Sequence, residues 1–160
     1  MSELTQKRSG PVRETTPEAI RLAKTLIRTA NYGSLSVLDP ADGRPHVSRI
    51  SVAADQDGTP LTLVSSLAFH TKALFVDRRC SLLLGEPGKG DPLAHPRITL
   101  SCDAMCVDRD DPDDGAVSSR YLRFNPKSSL YAGFADFSFV RLQVISASLN
   151  GGFGQAYVIE

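Results

Sequence analysis

Between Ser34 and Leu149 the chain is a succession of short runs in which apolar and polar residues alternate, joined by turn sequences such as Pro40-Ala-Asp-Gly43 and Gln56-Asp-Gly58. No other feature restricts the fold as much. A period of two marks strands with one buried face, and Asp-Gly turns fold such strands back on themselves. Residues 34–38, 46–54, 61–65, 80–84, 97–107 and 137–149 all read as strands. Helices interrupt them at intervals. Thr16-Pro17-Glu18 has the order of an N-cap, a first-turn proline and a first-turn acid, and Ile20, Ala23, Ile27 and Ala30 follow on one stripe. Further helices are predicted over residues 69–78 and 113–124, the latter stopped by Asn125-Pro126. A doubly wound parallel sheet would need regular strand–helix alternation, and the chain lacks it. The expected class is mainly β with inserted helices (α+β): antiparallel strands in a closed or partly closed barrel.

At 160 residues the chain can bury a core as one domain, expected over residues 15–160 behind a flexible polar arm at residues 1–14. Eighteen basic and eighteen acidic residues balance, so the basic footprint of a nucleic-acid partner is missing. The three cysteines include no Cys-x-x-Cys pair and are read as small core hydrophobes, which suits a reducing, cytoplasmic setting. No apolar run is long enough to span a membrane, and none is expected to bind one. The acidic run 108–114 reads as a solvated loop and helix start.

The segment Leu61-Thr-Leu-Val-Ser-Ser-Leu-Ala-Phe-His-Thr-Lys-Ala-Leu74 carries the chemistry. It reads as a strand running through Ser65 and Ser66 into a helix whose first turn holds His70, Thr71 and Lys72. A helix start offers unpaired N–H groups and partial positive charge, so it favours anions. Upstream, the strand Val47-Ser-Arg-Ile-Ser-Val-Ala53 offers Arg49 and Ser51. An arginine fork and a lysine converging on one anion make a common phosphate site. Taken singly, each of these residues also reads as solvated polarity at a strand–helix junction.

Several pieces recur in one order: Tyr32-Gly33-Ser-Leu, Ser48-Arg-Ile-Ser-Val52, Ser65-Ser66…His70-Thr71-Lys72, Arg120-Tyr121-Leu122, Tyr131-Ala-Gly-Phe-Ala-Asp-Phe137 and Leu149-Asn-Gly-Gly-Phe-Gly154. In these the chain resembles the FMN-binding split barrels related to pyridoxamine 5′-phosphate oxidase, and most closely their haem iron utilisation branch, over residues 16–157. The resemblance implies FMN in a cleft between the subunits of a homodimer. Arg49, His70, Thr71 and Lys72 would hold the phosphate, Ser65 and Ser66 the phosphate or ribityl chain, and Ser51 the isoalloxazine edge. It implies a flavin-dependent oxidoreductase acting on a small substrate. The alternatives are a haem-binding protein on the same scaffold, or a non-catalytic carrier of flavin or deazaflavin. The C-terminal Arg-x-His of the true oxidases is missing, since no basic residue follows Arg141, so vitamin B6 oxidation is not expected.

Outside that set, His46 reads as a polar edge residue; His95, at the end of the 85–95 loop, reads first as a solvent-exposed residue without function and second as the imidazole free to reach a ligand or a haem iron. Arg120 and Arg123, three apart on one helix face, could offer cations to an anionic substrate, but pairing with Asp113 and Asp114 on the surface is the expectation. Asp136 fits either a strand cap or a partner for an arginine. The Asn150–Gly154 segment reads equally as a bend after a strand or as backbone and Phe153 brought near the cofactor.

Overall fold

A computed structural model describes residues 12–152 and 154–160. The strands are β1 (Val12–Arg13), β2 (Tyr32–Leu38), β3 (Pro45–Ser51), β4 (Ala53–Ala54), β5 (Pro60–Ser65), β6 (Arg79–Leu84), β7 (Arg97–Val107), β8 (Phe137–Asn150) and β9 (Ala156–Ile159). The helices are α1 (Pro17–Thr29), α2 (Phe69–Val76) and α3 (Asp114–Phe124). Short 3₁₀ turns cover Pro92–Ala94 and Pro126–Leu130. The strands form one sheet in the order β1-β9-β8-β7-β6-β2-β3, and β8 also pairs with β5, which pairs with β4. Every described pairing is antiparallel except that of β1 with β9. The expected α+β split barrel is the fold found.

The split lies where β3 becomes β4. The expected single strand over residues 46–54 breaks at Val52: β3 pairs with β2 along its whole length, and β4 pairs with β5. At the break the backbone leaves one ladder before it joins the next, so its polar groups need other partners. They have them. Val52 N–H donates to Asn31 O at 3.0 Å, Asn125 Nδ2 donates to Val52 O at 3.1 Å, and Thr62 Oγ1 donates to Ser51 O at 2.8 Å.

A second irregularity lies in β8. The β7–β8 register shifts between Ser101 and Cys102, which leaves Ile145 as the extra residue of a bulge. The buried positions of β8 accordingly change parity, from Val140 and Leu142 to Ala147 and Leu149. The first half of β8 thus borders β5 (Phe137–Arg141), and the second half borders β9 (Ala147–Asn150).

Two cores follow. The larger fills the barrel with Leu35, Val37, Leu82, Leu84, Leu100 and Leu142 among others, and α1 closes onto it through Ala19 and Ala23. Thr16 caps α1 as expected, its Oγ1 accepting from Ala19 N–H at 3.1 Å. The smaller lies outside the barrel wall, where Val117 and Tyr121 of α3 meet Leu61, Val107 and Phe139. The Tyr121 and Phe139 rings meet edge to face at 5.5 Å.

Some expectations need correcting. Val12 and Arg13, assigned by composition to the arm, form β1 along the edge of β9, and Thr15 Oγ1 adds a bond to Val158 O at 3.0 Å. The paired edge supplies hydrogen-bond partners that local composition does not disclose. The remaining arm, residues 1–11, lies outside the described residues. Arg120 does not pair with Asp113 or Asp114: its Nε donates to Ala54 O at 2.9 Å and its guanidinium stacks on Phe124. Asp113 faces Arg141 instead. Cys80 and Cys102 are direct neighbours across the β6–β7 ladder and remain free thiols. Burial pushes them up to about 11 and about 12, so they behave as core hydrophobes.

Two substitutions test this frame. Thr62→Val keeps the shape of a fully buried side chain and leaves Ser51 O unpaired. It should cost about 1–3 kcal/mol in urea denaturation with an unchanged m-value. At Gly33 an added Cβ would stand 2.7 Å from Leu84 Cδ2 and 2.9 Å from the Leu83 carbonyl. Gly33→Ala should therefore destabilise by about 1–3 kcal/mol, the usual cost of overpacking.

Candidate functional site

The turn between β5 and α2 is built by the paired serines and an aspartate from another part of the chain. Ser65 Oγ accepts from Leu67 N–H at 3.2 Å and donates to Asp136 Oδ2 at 3.2 Å, while Ser66 N–H donates to Asp136 O at 2.7 Å. The role left open for Asp136 is thus settled: it receives the Ser65–Ser66 turn. Asp136 is in turn placed by Arg109, whose guanidinium collects the carbonyls of Ala132, Gly133, Phe134 and Phe137. A charged fork satisfying several loop carbonyls is a strong local tether. The spent hydroxyl of Ser65 serves the turn.

From this turn α2 starts at Phe69 with Ala68 as N-cap, and no side chain caps it. Its first N–H groups are therefore open to a guest, in keeping with the anion reading. Lys72 is exposed on this helix, and no carboxylate among the described residues pairs with it.

The other expected residues divide by direction. Alternation along β3 turns Ile50 and Ser48 toward the interior and Arg49 and Ser51 outward. Ser48 Oγ meets His70 Nδ1 at 3.2 Å. His46, two residues before Ser48 on the same face, stacks on Phe69 with 4.3 Å between ring centroids. On the opposite face Arg49 lies over the Tyr32 ring at 5.5 Å. It borders an open groove of about 530 Å³ with Asn31, Ser34 and Glu86. Ser66 and Thr71 line a separate cavity beneath α2. Within one chain, then, His70 and Lys72 share the start of α2 with the Ser65–Ser66 turn, while Arg49 and Ser51 project from the far face of β3.

Sequence reasoning underrated His46, Ser48 and Phe69. The signal was available: residues 46, 48 and 50 share a strand face, so His46 belongs with Ser48 rather than with the outer edge. His95 is held more firmly than expected, its Nε2 lying 2.9 Å from Lys89 O within the 85–96 loop. The Asn150–Gly154 segment is a bend: Asn150 Oδ1 accepts from Gly152 N–H at 3.0 Å, and Gly152 and Gly154 have φ of 117° and 70°. Phe153, the other half of that expectation, lies outside the described residues.

Electrostatics keep His70 neutral. Burial lowers its pKa below the ordinary imidazole value, and the nearby His46 lowers it further. The unfolded chain therefore binds a proton at His70 more readily than the folded chain does. Stability from this residue is present above about pH 6.5 and is lost as pH falls through the lowered folded value. Thermal unfolding from pH 7.5 down to pH 5 should show a falling Tm, and His70→Gln should flatten part of that fall.

Comparison with known proteins places this geometry. A family model described as "CREG, beta-barrel" matches residues 14–160. A chloroplastic protein of Arabidopsis thaliana, named non-canonical heme oxygenase HOZ, is 39% identical over 137 residues, covering 84% of this chain and 41% of its own length. Among solved structures, a heme binding protein from Mycobacterium smegmatis superposes with a TM-score of 0.81 at 29% identity, over 90% of this chain and 58% of that one. HutZ from Vibrio cholerae, described as a heme storage protein, gives 0.68 at 25% identity, over 78% of this chain and 88% of its own. The chain thus spans less than half the length of the Arabidopsis relative.

Proposed function

This chain belongs to the CREG β-barrel family, within the FMN-binding split barrels and on their haem utilisation side, and on that premise we propose that it binds haem. The observation that carries the reading is the histidine pair at the start of α2. His46 is exposed, stacks on Phe69, and has no hydrogen-bond partner for its ring nitrogens among the described residues. His70 is kept neutral beside it. An imidazole whose ring nitrogens are not already engaged could hold haem iron, and His46 meets that condition among the described residues. The donor set fits the rest of such a guest. Exposed Leu67 and Phe69 offer apolar contact for a macrocycle, and Lys72 offers a cation for a carboxylate. Bound haem would supply iron redox and oxygen chemistry; the protein's share is to orient the ring and limit solvent at it.

A homodimer with the ligand in a cleft between subunits belongs to the same proposal. What supports it is the separation of Arg49 and Ser51 from α2 within one chain. A second copy against the outer face of β3 would gather both groups around one ligand.

Haem titration at micromolar concentration should produce a shifted Soret band. His46→Ala should abolish or displace it, whereas His95→Ala should leave it, because His95 Nε2 is already engaged with Lys89 O. No spectral change on titration of the unaltered chain would remove the reading. The uncapped start of α2 favours a second ligand, FMN, held through its phosphate. If FMN is retained, Lys72→Ala should weaken it by about ten- to a hundredfold, the equivalent of about 1.5–3 kcal/mol for a charge-assisted contact. Flavin absorbance carried through gel filtration, compared between the two chains, decides the matter.

A further inference from the structure

Between α1 and the bulged stretch of β8 runs an open groove of about 460 Å³, within the size range of small-molecule sites. None of its lining residues belongs to β3, to α2 or to the turn before it, so it lies apart from the candidate haem and flavin site. Its origin is the extra residue of the bulge. Val144 and Ile145 flank the parity change and are both exposed, at 37% and 59%, where regular alternation would expose one of them. Across from them α1 sets Ile20 and Ile27 on its apolar stripe, and Ile20 is 39% exposed. The floor is formed by Ile98 and Leu100 of the main core, so α1 covers the barrel incompletely here.

The rim carries the charge. Lys24 and Arg28 stand at i and i+4 on α1, both exposed, and neither forms an ion pair among the described residues. Like charges at that spacing repel each other, a cost that an anion placed between them would relieve. Arg28 Nη2 donates to Gln56 O at 3.3 Å, and its planar fork has further donors to offer a carboxylate. Two carboxylates also reach the rim. Asp57 Oδ1 accepts from Thr59 N–H at 2.9 Å and so serves its own turn, while Glu160 pairs with neither base. Apolar walls with two unpaired bases along one edge suit a guest with an anionic head and an aliphatic tail, whose burial would take Ile20, Val144 and Ile145 out of water. We propose that the groove between α1 and β8 is a binding site for a small aliphatic carboxylate, with its chain against Ile20, Val144 and Ile145 and its carboxylate between Lys24 and Arg28.

The test uses the full chain and three probes that share one tail: octanoate, octanol and octylamine, followed at neutral pH by methyl and amide NMR shifts and by calorimetry. Octanoate should shift Ile20, Ile27 and Ile145 saturably, with octanol weaker and octylamine weakest. Lys24→Gln combined with Arg28→Gln should lower octanoate affinity about three- to tenfold, the worth of two exposed ion pairs, and leave octanol unchanged. Ile145→Gln should weaken all three probes by about three- to tenfold through lost apolar contact. Ile20→Gln, on the opposite wall, serves the same purpose if Ile145→Gln does not fold. The proposal is overturned if octanoate gives no saturable shift, if octanol or octylamine binds as tightly as octanoate, or if octanoate affinity is unchanged in a folded wall variant. A preference for octanoate that persists in the double glutamine variant would equally overturn the role given to the two bases.

Discussion

The break at Val52 is the constraint on which the rest of the structure depends. Val52 is 2% exposed, yet it belongs to neither ladder on either side of it. A buried residue between two ladders is tolerable only when its backbone groups find partners elsewhere. Asn31 at the end of α1 supplies the acceptor, and Asn125 at the end of α3 supplies the donor. One residue therefore ties two helices to the opening of the barrel. Thr62 secures the carbonyl next to it from β5. The split of the barrel is held by side chains and helix ends, where an ordinary closed barrel would use a strand pairing.

The same logic places α2. The helix is only eight residues long and has no side-chain cap, so it has little stability of its own. Its position comes from Ala73 and Leu74, buried in the main core, and from the turn that feeds it. That turn hangs on Asp136, and the loop carrying Asp136 hangs on Arg109. Polar groups far apart in sequence thus fix the start of a helix whose open N–H groups, histidines and lysine make up the candidate site. On its other face Thr71, Leu74 and Phe75 line a partly open pocket together with Ser66 of the same turn.

Much of the fold was legible. Strand and helix limits inferred from alternation and capping agree with those observed to within a residue or two for α1, β5, β7 and α3. The reason is physical: half-buried strands must alternate, and helix ends must be capped or stopped. What alternation could not show was where it changes meaning. The parity change at Ile145 reads as a lapse in pattern, and the Val52 break reads as a continuous apolar strand. β9 was not anticipated, because its four residues are half exposed and are held between β8 and the distant β1. In the candidate site, His70, Lys72 and the two serines fell together because they are neighbours in sequence. Arg49 was assigned to them by chemistry alone, and alternation then turned it to the other face of β3.

The sequence by itself determined the class of fold, the strand-to-helix segment that bears the ionisable groups, and the absence of any helix among the described residues long and apolar enough to cross a membrane. Those follow from local periodicity and composition, which every residue carries with it. Only the tertiary structure decided that His46 joins His70, that Asp136 closes the Ser65–Ser66 turn, and that Thr71 borders a cavity with its hydroxyl unpaired. Each of these depends on register and packing between elements distant in the chain. Such contacts arise from the summed geometry of the whole barrel, and no single stretch of sequence contains them.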